Sequence, residues 1–571
     1  MQNISLARTK RKWHTSFKGM CMKKIFFLAF CCYSLPILSC TNFLITKGAS
    51  TCGPMIGHTD DGIPGDPRIV YIAAKDHLEN KKRAVYLDNF VYPRYIGKRA
   101  EAYHLDGKHT TPIGHIAEVL HTYAYIEGNY PIINEHQLAL GEGTNLSRFT
   151  FDYDKHMRIM GIAELMRLAL ERCTRAKEAV VLMGKMAEDH GYYGDGESVL
   201  LTDTEEGWVF EISCTPNGKG AIWVAKKIPD GEVFVMANEF RIQEIAIDSN
   251  DILYSKNLFT LAQANNWLNK DKKSLNWQKI VCPGENHHPY SSLRRVWRLL
   301  QKINPSLDLS PYVENAYTTI YPFSTKPQKK IAIEQALNFF RDHYEGTEFD
   351  LTKGLAAGPY GCPNRNLADI EKNSTPQEDN NEDPQGAWER AISVPYTVYS
   401  YVTQCREDLP DAIGGKVWIG FGEPFYTCYI PCHIGIKDLP KYFNSGNPLI
   451  YDEKFGGLPF KLISNWVTQC YSFIIEDIKA KQQQLEKEEL RQQEYIEDNA
   501  MSEEHISEYL TSYCQDNTQH IISQWWDLFY LITAKYCDGF INIPKYGTKI
   551  GYPQWWKNRV GYKKGPINYH Q

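Results

Sequence analysis

From Ile25 to Leu38 the chain is almost wholly apolar, behind Met22-Lys23-Lys24 and ahead of Ser39-Cys40. A short basic start, an apolar run and a small residue at the break have the layout of a secretory signal peptide. The run is shorter than the ~20 apolar residues that span a bilayer. The reading is a leader over 1–39, with the signal peptide at about 22–39 and Met22 an alternative start, after which the working chain begins at Cys40. An exported protein, periplasmic or extracellular, is expected.

After Cys40 the pattern becomes that of a layered protein. Thr41 to Thr46 has the β-branched and aromatic content of a strand, and Lys47-Gly48-Ala49-Ser50 with Gly53-Pro54 is turn material. Further strands are predicted at Met55 to Gly57, Ile69 to Ala74, Gln137 to Leu140, Ser198 to Leu201, Trp208 to Ile212, Ala221 to Ala225 and Val233 to Met236. Between Ile162 and Val180 the apolar residues Leu165, Leu168, Ala169, Cys173, Ala176 and Val180 recur at helical spacing, which predicts one amphipathic helix. Strands and helices do not strictly alternate, so an α+β layered domain is expected. Glu371 to Gln385 reads as a polar connecting loop. Phe473 to Ile496 reads as a helix with Ile474, Ile478, Leu485 and Ile496 on one packed stripe, a coiled-coil seam being the alternative. There is no internal repeat.

The chain has 571 residues, 63 basic and 68 acidic side chains and a net charge of -5, with 43% hydrophobic residues. That composition excludes a disordered or collagen-like chain. It offers no basic face for nucleic acid, which is excluded as a partner. Of 15 cysteines, Cys21, Cys31 and Cys32 precede Cys40, and the pairing of the other twelve is open. Cys428 and Cys432 have no second pair to complete a zinc site, and His287-His288 lacks a carboxylate at helical spacing. Both are read as structural, and no metal is expected.

A cysteine at the junction of a leader and a strand gains a free α-amine on cleavage, placing nucleophile and base on one residue. The amine has a reference pKa of about 7.7 to 8.0 and the thiol about 8.5, so a proton can pass from sulfur to nitrogen. Such a site needs a group to orient the amine, donors for the oxyanion and a cation to steady the thiolate. The competing fate is lipidation, with Ile37-Leu38-Ser39-Cys40 as a partial lipobox. That would cap the nitrogen and occupy the sulfur, giving a lipid-anchored, non-catalytic binding protein; only then would a membrane be a partner. From spacing alone both fates stay open. A Cys282-His288 protease pair ranks below them.

The run Cys40-Thr41-Asn42-Phe43-Leu44-Ile45-Thr46-Lys47-Gly48-Ala49-Ser50 resembles the start of the bacterial dipeptidase family of N-terminal-nucleophile cysteine hydrolases, relatives of penicillin V acylase and choloylglycine hydrolase. Matches continue in order at Asn134 to Ala139, Glu164 to Arg172, Ala237-Asn238, Arg295-Val296-Trp297, Gly346 to Gly354, Gly358 to Gly361 and Leu409-Pro410-Asp411. The resemblance implies a four-layer αββα sandwich with additional C-terminal helical elaboration: one catalytic domain over 40–571, with the core at about 40–300 and a family-specific part at about 301–571. It implies Cys40 as nucleophile, Asp61 holding its α-amine, Asn238 donating to the oxyanion and Arg295 as the distal arginine, with Arg294 adjacent to it. Asp61 and Asn238 also read as turn residues. Thr144, Asn134 and His58 are the implied substrate-binding or oxyanion set. His58 stands where the wider superfamily has an arginine, which leaves the cation in question. The implied reaction is hydrolysis of short peptides through a thioester, with no cofactor; an acylase or amidase substrate and a homo-oligomer stay open.

Overall fold

The computed structural model describes residues 40–62, 65–94, 110–150, 158–194, 196–218, 220–246, 249–268, 274–283, 291–312, 320–365 and 389–561. The leader, the Glu371 to Gln385 loop and the His287-His288 pair lie outside the described residues.

Fifteen strands build two large sheets. In chain order they are β1 (Asn42–Ile45), β2 (Met55–Asp61), β3 (Val70–Ile72), β4 (Tyr125–Glu127), β5 (Pro131–Asn134), β6 (Ala139–Asn145), β7 (Gly196–Thr202) and β8 (Gly207–Cys214). They continue as β9 (Ala221–Ile228), β10 (Val233–Met236), β11 (Ile252–Tyr254), β12 (Ser324–Thr325), β13 (Thr397–Gln404), β14 (Lys416–Phe421) and β15 (Ile430–His433). The first sheet runs β12-β10-β1-β2-β13-β14-β15; the second runs β11-β9-β8-β7-β6-β5-β4-β3. The principal helices are α1 (Ile162–Arg172), α2 (Ala176–His190), α3 (Ser292–Ile303), α4 (Ile333–Phe339), α5 (Leu458–Trp466), α6 (Tyr471–Ser502) and α7 (Ile506–Lys535).

Period-2 alternation along the strands sorts the core into layers. Leu44 and Ile56 of the first sheet pack with Leu200 and Val209 of the second, filling the space between sheets. On the other face of the second sheet, Val199, Leu201, Trp208 and Phe210 pack on Leu165, Leu168, Val180 and Met183 of α1 and α2. On the other face of the first, Phe43, Ile45, Val233 and Val235 pack on Val296, Leu299, Leu300 and Leu337 of α3 and α4. The order is therefore helix, sheet, sheet, helix, the expected α+β sandwich.

Two expectations change. The helix read over Ile162 to Val180 is broken: Cys173 is extended at φ -121°, ψ 151°, and a second helix starts at Ala176. Apolar periodicity runs through the break because both helices cover the same sheet face. The sheet core does not end near residue 300 either, since β13 pairs with β2 in the centre of the first sheet and β14 and β15 follow. The C-terminal part supplies three strands of the sandwich as well as helices. Of those helices, α6 and α7 form a hairpin against the end of that sheet, with Ile474, Ile478, Leu485 and Ile496 buried beside Ile521, Trp525 and Ile532. No helix among the described residues is long and apolar enough to cross a membrane.

Candidate active site

Cys40 sits at the head of β1, which is flanked by β2 and β10. Thr41 fixes that end: its N–H donates to Thr59 Oγ1 at 3.0 Å, and its carbonyl accepts from the Thr59 N–H at 3.1 Å. Gly141 and Gly143 of β6 face β1. A Cβ on Gly141 would lie 2.6 Å from Ile56 Cγ2, and one on Gly143 would lie 3.0 Å from Asn42 Nδ2. Without side chains there, the Asn42 amide reaches the Glu142 carbonyl at 2.7 Å and stitches the two sheets together beside the cysteine.

The basic residue at this junction is Arg295, from α3. Its Nη1 donates to the Cys40 carbonyl and to Thr41 Oγ1, both at 2.9 Å, and its Nη2 donates to Asn238 Oδ1 at 2.7 Å. Burial, with the charge of Arg390, pulls its pKa down to about 9, so it remains a cation at neutral pH. Arg294 points elsewhere: it pairs with Glu389 at 3.0 Å and lies 3.6 Å from the Phe349 ring centre. Asn238, two residues past β10, adopts the left-handed conformation at φ 57°. Its Nδ2 donates to the Thr144 carbonyl at 2.7 Å, and the Thr144 hydroxyl donates to Glu142 Oε1 at 3.1 Å. Arg295, Asn238, Thr144 and Glu142 thus form one chain that returns to Cys40, whose Sγ lies 3.9 Å from Glu142 Oε2.

Asp60 and Asp61 point to opposite faces of β2, and both are buried. Asp61 Oδ1 accepts from Thr397 Oγ1 at 2.6 Å, and Oδ2 accepts from Thr59 Oγ1 and Arg390 Nη2 at 2.9 Å each. Asp60 accepts from Asn129 Nδ2 at 2.5 Å, and burial pushes its pKa up to about 7. Burial likewise lifts Glu142 to about 7, and lifts the neighbouring Glu197 well above the carboxylate range.

The surroundings of the thiol correct one expectation. In place of a cation steadying a thiolate, burial and the charges of Glu142, Asp60 and Asp61 push the Cys40 thiol well up, against only a backbone N–H of Asp61. The sulfur therefore holds its proton until a base takes it. His58 is not the cation: burial drives its pKa to about 3, and Nδ1 sits 2.9 Å from both Asn42 Oδ1 and the Glu142 carbonyl. Asn134 is also corrected. Its Nδ2 donates to the Leu170 and Cys173 carbonyls at 2.9 Å each, and its Oδ1 accepts from the N–H groups of His136 and Leu138. Two of those bonds tie the β5–β6 turn to the end of α1 and two close the turn itself, so Asn134 is a structural residue.

The structure thus gathers Cys40, Asp61, Asn238, Arg295, Thr144 and His58, and leaves Asn134 out. Sequence reasoning missed Glu142, Glu197, Asp60 and Arg390. The run Gly141-Glu142-Gly143 carried a signal for Glu142, because glycines alternating through a strand mark close backbone approach. For Arg390 there was none. Cys282 is buried, and its proposed partner His288 lies outside the described residues. Among the described residues no group of three or more His, Cys, Asp or Glu is arranged to hold a metal ion.

A four-layer sandwich with a cysteine heading an inner strand of one sheet has the layout of the N-terminal-nucleophile hydrolases. Within that class the chain belongs to Peptidase family C69, whose model matches residues 39–484. The remainder of α6 and all of α7 lie beyond the match. The chain is 25% identical over 452 residues to a probable dipeptidase of Latilactobacillus sakei, covering 77% of this chain and 82% of that protein. It is 27% identical over 289 residues to a probable dipeptidase of Salmonella dublin, covering 50% and 58%, so it spans little more than half of that relative. With dipeptidase A of Lactobacillus helveticus it shares 21% identity over 419 residues, covering 70% and 76%. Among solved structures, penicillin V acylase from Agrobacterium tumefaciens aligns with 69% of this chain and 86% of its own, at 10% identity and a TM-score of 0.28. Family membership makes the chain a peptidase, the enzyme class expected from its sequence.

Proposed function

We propose that this chain is an exported cysteine dipeptidase in which Cys40, freed by loss of the leader, is the nucleophile. The observation that carries the reading is the double grip of Arg295, which holds the Cys40 carbonyl and the Asn238 amide in one frame. The α-amine of Cys40 takes the thiol proton, a step the buried and negatively surrounded sulfur requires of some base. The thiolate attacks the peptide carbonyl, and the Asn238 amide, aligned by Arg295 and Thr144, donates to the oxyanion. The amine returns the proton to the leaving amine, and water then hydrolyses the thioester. Asp61, clamped by Thr59, Thr397 and Arg390, fixes the end of β2 against which residue 40 lies. Names of the relatives support a dipeptide substrate, and the apolar run before Cys40 supports export.

The test is dipeptide hydrolysis by protein whose first residue is Cys40, established by intact mass, beside a Cys40→Ser variant. Activity lost in the variant supports the reading. Undiminished activity, or a diacylglyceryl adduct on an inactive wild-type Cys40, refutes it.

A further inference from the structure

Around the Cys40 sulfur lies a set of buried polar groups that the mechanism above does not use. Glu142 Oε2 is 3.9 Å from Sγ. Glu197 stands opposite Thr144 on the neighbouring strand, and Tyr130 feels the charges of Glu142, Glu197, Cys40 and Asp60 together. Asp60 Oδ1 and His58 Nε2, in two fully buried residues, have no hydrogen-bond partner among the described residues, while Tyr130 and Glu197 each engage Glu142. Buried polar atoms without a partner cost stability, and two of them near a close carboxyl pair form a concentration that calls for an explanation. Glu142 and Glu197 together press two carboxyls into one buried place. The nearby arginines are committed elsewhere: Arg390 to Asp61, Arg295 to Cys40 and Asn238.

We propose that Glu142, backed by Glu197, receives the α-ammonium of the substrate's first residue, so that this carboxyl pair selects peptides with a free N-terminus. The inference rests on the dipeptidase reading and names the recognition element within that site. An ammonium brings three N–H donors and a positive charge, which matches Glu142 Oε2, Glu197 Oε2 and Asp60 Oδ1 as acceptors. Position agrees with chemistry. In an N-terminal residue the α-nitrogen is two bonds from the peptide carbonyl carbon. When Sγ is about 3–3.5 Å from that carbon, the nitrogen lies beside the sulfur, where Glu142 stands. The arriving cation also relieves the repulsion between the two carboxyls, which otherwise keeps them partly protonated. An acylated nitrogen offers neither the charge nor the three donors. It would leave both carboxyls buried and unmatched, the kind of mismatch that gives large discrimination.

The test compares L-alanyl-L-alanine with its N-formyl derivative in wild type, Glu142→Gln and Glu197→Gln, each mature at Cys40, with kcat/KM as the readout. Wild type is expected to favour the free amine at least about 100-fold. The ratio is expected to fall by about 30-fold or more in Glu142→Gln, the scale of a truncated buried charge pair, and less steeply in Glu197→Gln. Equal losses on both substrates with the ratio kept would overturn the proposal, because that is how Glu142 would behave if it held the α-amine of Cys40 itself or only supported the fold. Should the variants not fold, alkylation of Cys40 in wild type is measured with L-alaninol and with N-formyl-L-alaninol. Protection by the first at a tenth or less of the concentration of the second supports the proposal, and equal protection refutes it. A wild type that cleaves only acylated substrates defeats the dipeptidase reading itself, whereas one that cleaves both equally defeats this inference alone.

Discussion

Arg390 and Asp61 are 329 positions apart in the chain, and their side chains meet at 2.9 Å beneath the end of β2. The pair is buried on both sides, with Thr59 and Thr397 completing the carboxylate and the Tyr396 hydroxyl accepting from Arg390 Nε at 3.1 Å. Burial works against the Arg390 charge, but Tyr396 and Asp61 overcome it and leave the guanidinium more firmly protonated than usual. Removing one partner strands the other in the core, which costs about 3–5 kcal/mol. Arg390→Ala and Asp61→Asn are each expected to lose stability on that scale, and the double variant less than the sum of the two, as read by denaturant midpoints in a double-mutant cycle.

That pair also marks where sequence reading stops. Local pattern was enough for elements whose residues decide their own conformation: β10 runs from Val233 to Met236 as predicted, and β1 lies within Thr41 to Thr46. Asp61 was singled out by the family resemblance alone, since the strand predicted at Met55 stopped at Gly57, and only the structure carries β2 on to Asp61 beside β1. Contacts made by the fold over long separations were not legible. Nothing in the residues near 390 says that they return to β2, and the adjacent Arg294 and Arg295 are equivalent until α3 turns one toward Cys40 and the other toward Phe349. Asn134 misled for a related reason. An asparagine that organises a turn and a helix end recurs in a family as readily as one that binds substrate, and only its four hydrogen bonds tell the two apart.

His58 is a histidine beside a thiol that should not govern the pH response. Burial puts its folded pKa near 3, so it stays neutral through the range in which an ordinary histidine titrates. A His58→Asn variant, which keeps a donor toward the Glu142 carbonyl, should retain the shape of the kcat/KM profile between pH 5 and 8 even if its height falls. The folded pKa is depressed, so the unfolded chain takes up a proton that the folded chain refuses. The stability contribution is present above pH ~6.5 and is lost as pH falls toward 3, with a limiting slope of ~1.4 kcal/mol per pH unit. Urea titrations at pH 4 and 7 should show a smaller difference in the variant, whereas a shifted limb near pH 6 in the rate profile would mean that His58 is charged at work.

The opposite sign is expected at His343. Burial alone would lower its pKa, but Glu345 Oε1 at 3.2 Å and Glu423 Oε1 at 3.5 Å raise it to about 9. Here the folded chain binds the proton more tightly, so the contribution is complete below pH ~6.5 and disappears as pH climbs through 9. His343→Gln should flatten the fall in stability between pH 6.5 and 9 while lowering stability at pH 6, with denaturant midpoints at four pH values as the measurement. An unchanged slope would place the proton elsewhere in the Glu345 and Glu423 cluster.

Asn238 combines a backbone and a side-chain requirement that two substitutions can separate. Its φ of 57° lies in the left-handed region, where a residue with a Cβ costs about 1–2 kcal/mol unless its side chain compensates and glycine does not suffer that clash. Its amide joins Arg295 to Thr144 at 2.7 Å on each side. Asn238→Gly keeps the backbone turn and removes the amide, so stability should stay within about 1 kcal/mol of wild type while kcat falls ~100- to 1000-fold, the scale of one lost oxyanion donor. Asn238→Ala should lose the same activity and additional stability, because it removes the amide and keeps the strain. The informative comparison is kcat of the glycine variant at matched folded fraction. If it stays within about threefold of wild type, the amide does not meet the oxyanion, and the Arg295 frame positions only the backbone of residue 40.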